Sequence, residues 1–328
     1  MYLSDNSTGT VTIYSGAAPF PQIGALNHAA GASYGWGVGD TGPHQDAPGA
    51  RNEVYVGASN DTIDVYDACK GMAVLRTLTG NGGGNGGAPY GLAVGDDGSV
   101  VADEWPNNAI DVWGPLPGEP LEGTVPEANM NLPYFLYYDN ADPGAPGTAY
   151  VLVSGVSAGG AEQIDDCTLA FGPPPVLNCR TAITIAGGFP GGVAGLEISA
   201  TRQNRGHKPN VIVDNQYGVL SAYGCDFPPP PGAITCIDRA DFMYSNGQNP
   251  LDYTAIDVAW FPHNNARNLG AANIYFCNAN KTTFCGDFTS QSLPLPWGPG
   301  WMLNGNSAQL GPPSMPLGFK IWPPNPHS

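Results

Sequence analysis

Residues 88–113 read APYGLAVGDDGSVVADEWPNNAIDVW. Three short apolar runs, YGLAV, SVVAD and AIDVW, are separated by GDDG and EWPNN. Runs of about five residues rich in Val, Ile and Ala, bounded by Gly, Asp, Pro and Asn, are strands joined by tight turns. No long segment carries the apolar spacing of about 3.6 residues that marks an amphipathic helix.

Looser copies of the unit recur on both sides. YGWGVGD (34–40) leads to NEVYVGASNDTIDVYD (52–67), and PYFLYYD (133–139) to TAYVLVSG (148–155). GLEIS (195–199) leads to NVIVDNQYGVLSAYG (210–224), and TAIDVAW (254–260) to ANIYFCNANKTTFCGDF (272–288). A sixth copy is divided between the ends: PLGFKIW (316–322) opens a unit, and YLSDNSTGTVTIYS (2–15) supplies its second and third strands. One supersecondary unit repeated along a chain marks a repeat architecture. Pairing the two ends would remove an open sheet edge.

The unit at 88–113 resembles the NHL repeat, in which a Pro-x-Gly-aliphatic-x-Val strand precedes a turn, a strand ending in Ala-Asp and an Asn-rich turn. The resemblance implies an all-β, six-bladed β-propeller with four-stranded antiparallel blades, closed by pairing of the N- and C-terminal strands. The blades then fall at 314–328 with 1–30, 31–86, 87–130, 131–188, 189–250 and 251–313, all in one domain. At about 55 residues each they exceed the usual NHL length, and the excess lies in Pro/Gly loops. Propellers of the gluconolactonase and NHL type include lactonase and lyase enzymes as well as non-catalytic binding modules, so the resemblance does not choose a function. The Glu/Asn/Asp metal set of the gluconolactonase type has no residue-by-residue match here.

Composition narrows the choice. The chain has 46 Gly and 33 Pro among 328 residues, yet 42% of it is hydrophobic, enough for a sizeable core. Only 12% is charged, with a net charge of −17, which repels a phosphate backbone and argues against nucleic-acid binding. No apolar run approaches the roughly 18–20 residues of a membrane span. Met1 runs straight into strand-like sequence without a leader-like segment, so export would require a leader already removed.

Six of the seven cysteines fall into three close pairs: Cys167 with Cys179, Cys225 with Cys236, and Cys277 with Cys285. Each pair can clamp a hairpin at about 3 kcal/mol, which points to an extracellular, periplasmic or cell-surface compartment. Buried free thiols are the alternative. Cys69 is left over, as a buried thiol or an intermolecular bridge. Sequons at Asn6, Asn60 and Asn280 fall in turns between second and third strands and are glycosylation candidates.

Aligning the opening strands puts Lys320, Gly37, Ala93, Tyr137, Glu197 and Asp257 at one position. If that position faces the central channel, Glu197, Asp257, Lys320 and Tyr137 are channel candidates; a self-satisfying ion-pair cluster is the other reading. Tyr34, Tyr90 and Tyr134 recur three positions earlier, either lining a ligand mouth or packing between blades. Asp5, Asp103 and Asp214, which end second strands, are expected to cap the turns that follow. Asp96, Asp97, Asp139, Asn140 and Asp142 lie in turns that offer a weak site for Ca2+ or another divalent cation, without EF-hand spacing. There is no G-x-S-x-G elbow, no CxxCH and no paired histidine, so catalytic residues are not identified.

Two functions remain open. One is an extracellular, non-catalytic propeller that binds a protein, a glycan or copies of itself, with LPLPWGPGW (293–301) as a candidate contact surface. The other is a metal-dependent hydrolase, lactonase or lyase with its site near Glu197 and Asp257.

Overall fold

The structure is a computed structural model. It describes residues 2–5, 10–14, 22–27, 35–40, 53–58, 61–67, 74–80, 89, 91–104, 107–139, 145–185, 193–198, 211–215, 219–243, 254–262, 270–277, 285–286, 302–303 and 316–320. The chain is all-β and its sheets are essentially antiparallel.

The first sheet runs β24 (Pro316–Lys320), β1 (Tyr2–Asp5), β2 (Thr10–Tyr14), β3 (Gln22–Asn27), so the last strand of the chain pairs with the first. The second holds β4 (Gly35–Asp40), β5 (Glu53–Ala58), β6 (Thr62–Asp67) and β7 (Val74–Thr79). The third holds β8 (Leu92–Val94), β9 (Val100–Glu104), β10 (Ala109–Trp113) and β11 (Leu121–Pro126). The fourth holds β12 (Met130–Tyr138), β13 (Thr148–Ser157), β14 (Glu162–Ala170) and β15 (Val176–Ile185). The fifth holds β16 (Val193–Ile198), β17 (Val211–Asn215), β18 (Val219–Asp226) and β19 (Thr235–Met243). The sixth departs from the meander. Its β20 (Thr254–Pro262), β21 (Gly270–Cys277) and β22 (Cys285–Gly286) pair in order, but β23 (Met302–Leu303) joins β21 in parallel.

The core is a series of layers between successive sheets. Along β5, Val54 and Val56 pack with Val11, Ile13 and Leu26 of the first sheet. Tyr55, between them, turns the other way, to Leu92, Val94 and Trp113 of the third. Strand side chains alternate faces, so a strand buried on both faces is apolar nearly throughout. The same alternation sends Ile110 and Val112 of β10 toward Val151 and Val153 of the fourth sheet, and Leu152 of β13 toward Tyr223 and Phe227 near the fifth.

Two hairpins are closed covalently. Cys167 faces Cys179 across β14 and β15, and Cys225 faces Cys236 across β18 and β19; both pairs are disulfides with Cα atoms 4.0 Å apart. Cys277 and Cys285 are register partners across β21 and β22.

Candidate functional site

The loops between third and fourth strands of three consecutive sheets are rich in proline: GPLPGEP (114–120), GPPP (172–175) and PPPPG (228–232). Each reaches back to the fourth strand of the sheet before it. The first carries Glu119, which pairs with Arg76 on β7 through Nε. In the second, the Gly172 N–H donates to Glu122 Oε2 on β11 at 2.6 Å. The third offers the carbonyls of Pro228 and Gly232 to Arg180 on β15, which also holds Asp166 at 2.9 Å.

Arg76 is the most heavily engaged of these. It donates to Glu53 at 2.6 and 3.0 Å and lies over the Tyr55 ring, 5.7 Å from its centroid. The Tyr55 hydroxyl donates its one proton to Glu119 at 2.7 Å, with Glu53 also at 3.0 Å, and accepts from Arg76 at 3.0 Å. Burial alone would lower the guanidinium pKa, but the hydrogen bonds to Glu53 and Glu119 outweigh it and raise it, so Arg76 stays charged. Burial, then the Glu119 charge, pushes the Tyr55 phenol up, which keeps it a donor.

The fourth strands β11 and β15 begin just after two of these loops with an exposed aliphatic, and two other fourth strands carry exposed aliphatics at their start. Val74 and Leu75 open β7, Leu121 opens β11, Val176 opens β15, and Ile23, at 66% exposure, is the second residue of β3. Among the loop prolines, Pro117, Pro174 and Pro230 are also exposed. Rigid prolines beside aliphatics on an outer strand make an apolar rim along a sheet edge.

Behind the rim, third strands carry a buried aspartate after an isoleucine: Ile63-Asp64, Ile110-Asp111 and Ile164-Asp165. Each isoleucine packs toward the following sheet, so each aspartate, one residue on, turns to the preceding one. Asp64 and Asp111 each accept a hydroxyl from the threonine opposite, Thr77 and Thr124. The Asp64 charge adds to burial in pushing the Tyr66 phenol up to about 12. Asp165 accepts amide protons from Asn129 at 2.8 Å and Gln163 at 2.7 Å. Nearby Glu127 is 3% exposed. Burial, then the Asp165 charge, raises its pKa to about 7 against the backbone N–H groups of Asn129 and Met130 that lower it. Sequence reading passed over these aspartates, although the Ile-Asp pair recurring in third strands was a signal that could have found them.

The residues singled out in the sequence fall in different places. First strands carry a bulge whose extra residue is Leu317, Tyr134, Ala194 or Ile256. Counted from that bulge, Tyr137, Glu197 and Lys320 share one register position, whereas Asp257 lies two residues earlier and Ala259 takes the place expected for it. Tyr137 and Ala93 both pack into layers between sheets.

Asp103 makes a contact across its sheet. Its Oδ1 accepts the Gly91 N–H at 2.6 Å and its own N–H donates to the Gly91 carbonyl at 3.1 Å, which ties the start of the opening strand to the second strand. Asp139 is fully buried, with its N–H bonded to the Tyr150 carbonyl at 3.0 Å. Asp97 is exposed and accepts the Ser99 N–H at 2.9 Å, closing its own turn beside partly buried Asp96. Ser99 in turn meets Tyr138 at 2.6 Å, joining the third and fourth sheets. Tyr34, Tyr90, Asn140, Asp142, Cys69, Asn6, Asn60, Asn280, residues 293–301 and all five histidines lie outside the described residues.

These features define an all-β protein of antiparallel sheets stitched together by proline-rich loops and buried ion pairs. No family model matches the chain, and no curated protein matches it. A solved structure titled "Crystal Structure of Mitotic Checkpoint Complex" aligns at 12% identity with a TM-score of 0.47, covering 77% of this chain and 65% of that one.

Proposed function

We propose that the chain is an extracellular, non-catalytic, six-bladed propeller that binds a protein partner or further copies of itself along the apolar rim. The observation that carries this reading is the exposed aliphatic at the start of four fourth strands, Ile23, Val74, Leu121 and Val176. An edge strand offers unpaired backbone groups, and side chains of this kind add apolar area to a β-augmented contact. Support for the ring comes from first strands that neighbour one another in cyclic order, β24, β4, β8, β12, β16, β20 and back to β24. Two disulfides support an oxidising compartment. Light scattering coupled to size exclusion, with electron microscopy, is the test. Wild type should assemble or capture a partner, and the double variant Leu121→Asp, Val176→Asp should not. A wild-type monomer that binds neither protein nor glycan refutes the proposal.

The metal-dependent hydrolase reading, centred near Glu197 and Asp257, draws support from β16, β20 and β24 lying side by side. It predicts lactone or ester turnover that chelation abolishes. Absence of turnover with added divalent metals removes it.

A further inference from the structure

We propose that Asp61, Glu104 and Asp111 form a calcium-type cation site across the seam between the second and third sheets. Asp61 sits in the turn between β5 and β6 at φ 58°. Glu104 ends β9, and Asp111 is the third residue of β10. Each offers a carboxylate oxygen, and these lie within 4.8 Å of one another. Glu104 is 7% and Asp111 1% exposed, so this negative charge is gathered where water solvates it poorly.

Convergence of acids alone would not define a site; the state of Glu104 adds the second observation. Its Oε1 is buried and has no hydrogen-bond partner among the described residues. Its Oε2 receives only a long bond from Asn107 Nδ2, at 3.3 Å. A buried carboxylate that converges with two others while one of its own oxygens has no proton donor is the arrangement a cation completes. Asn108, in the turn that follows Glu104, holds a further buried oxygen, Oδ1, without a partner among the described residues.

Gly80 makes room for the cluster. A Cβ there would collide with the carboxylate oxygens of both Asp61 and Asp111. The Gly80 N–H donates to the Asp61 carbonyl at 2.9 Å, which holds the turn against the end of β7. The donors are all hard oxygens, without histidine or thiolate, which disfavours zinc and copper. Irregular carboxylate geometry suits calcium, with its 6–8 flexible oxygen ligands, better than octahedral magnesium. The second three-residue grouping, Glu127 with Cys167 and Cys179, is no rival, because its sulfurs are bonded to each other.

Terbium luminescence tests the site in the full-length protein. Trp113 lies two residues from Asp111 on the same face of β10, about 7 Å along the strand, close enough to sensitise a bound Tb3+. Excitation of tryptophan should give a signal that saturates near one equivalent and is displaced by Ca2+. The melting temperature should be several degrees higher in millimolar Ca2+ than in EDTA. Glu104→Gln keeps the shape and removes the charge, so it should lose both responses while melting in EDTA no lower than wild type. Asp61→Asn, at the more exposed position, repeats the test if Glu104→Gln does not fold. Absence of saturable Tb3+ signal with equal melting in Ca2+ and EDTA overturns the proposal, as does retention of both responses in a folded variant. Equal effects of Mg2+ and Ca2+ overturn the calcium assignment. The rim is untouched by these variants, so a monomer that still binds calcium refutes the binding-surface reading alone.

Discussion

Glu127 lies almost wholly buried beside Asp165, and its carboxyl titrates near 7 in the folded chain against the ordinary 4.5. The folded state therefore holds this proton more tightly than the unfolded state does. Its contribution to stability is full below pH 4.5 and is lost as pH rises through 7. The loss amounts to about 3 kcal/mol. Glu127→Gln imitates the protonated form: its amide can donate toward Asp165 while its carbonyl accepts from Asn129. Urea denaturation should find this variant close to wild type at pH 5 and more stable at pH 8. Equal pH slopes for the two proteins would show that another group sets the dependence. Arg76 is the opposite case, since its charge is needed at every pH. Arg76→Met leaves Glu53 and Glu119 buried around a missing cation, at a cost of about 3–5 kcal/mol. Thermal melting would register this as a large drop, and Arg76→Lys as a smaller one.

At the scale of elements, the hairpins of the fourth and fifth sheets are clamped beside their proline loops, whereas that of the third relies on the Gly114 N–H bonded to the Pro120 carbonyl at 2.9 Å. Replacing Cys167 and Cys179 together by serine should lower stability by about 2–3 kcal/mol, because the loop that the bond closes is short. Reductant should lower the wild-type melting temperature by more than it lowers that of the double variant. The strands themselves differed in how readily the sequence betrayed them. Second and third strands such as VVADE and AIDVW are buried on both faces, and their mostly apolar content announced them. Fourth strands such as VLRTLT and LEGTVP bury little beyond one or two positions, so their mixed composition resembles loop. Proline content marked the loops as turns but carried no sign that they reach the preceding sheet, since that contact is set by tertiary packing.

For the molecule as a whole, the pairing of 316–320 with 2–5 followed from two incomplete units at the chain ends. The functional surface was less legible. Motif spacing puts Asp257 level with Glu197, but the bulge separates them by two residues, because an added residue shifts the register without changing composition. Removing residues 316–328 should leave β1 as an open edge. Analytical ultracentrifugation of that truncation should find aggregates, with a lower melting temperature than the full chain.

The backward reach of the proline loops also gives synthesis a direction. Arg76 emerges from the ribosome before Glu119, Glu122 before Gly172, and Arg180 before Pro228 and Gly232. The second, third and fourth sheets thus each carry a polar group whose contacts are completed only when the next sheet follows. The first sheet waits longest. Tyr2–Asp5 can pair with Thr10–Tyr14 on one side at once, but meet their partner on the other side only when Pro316–Lys320 have been made.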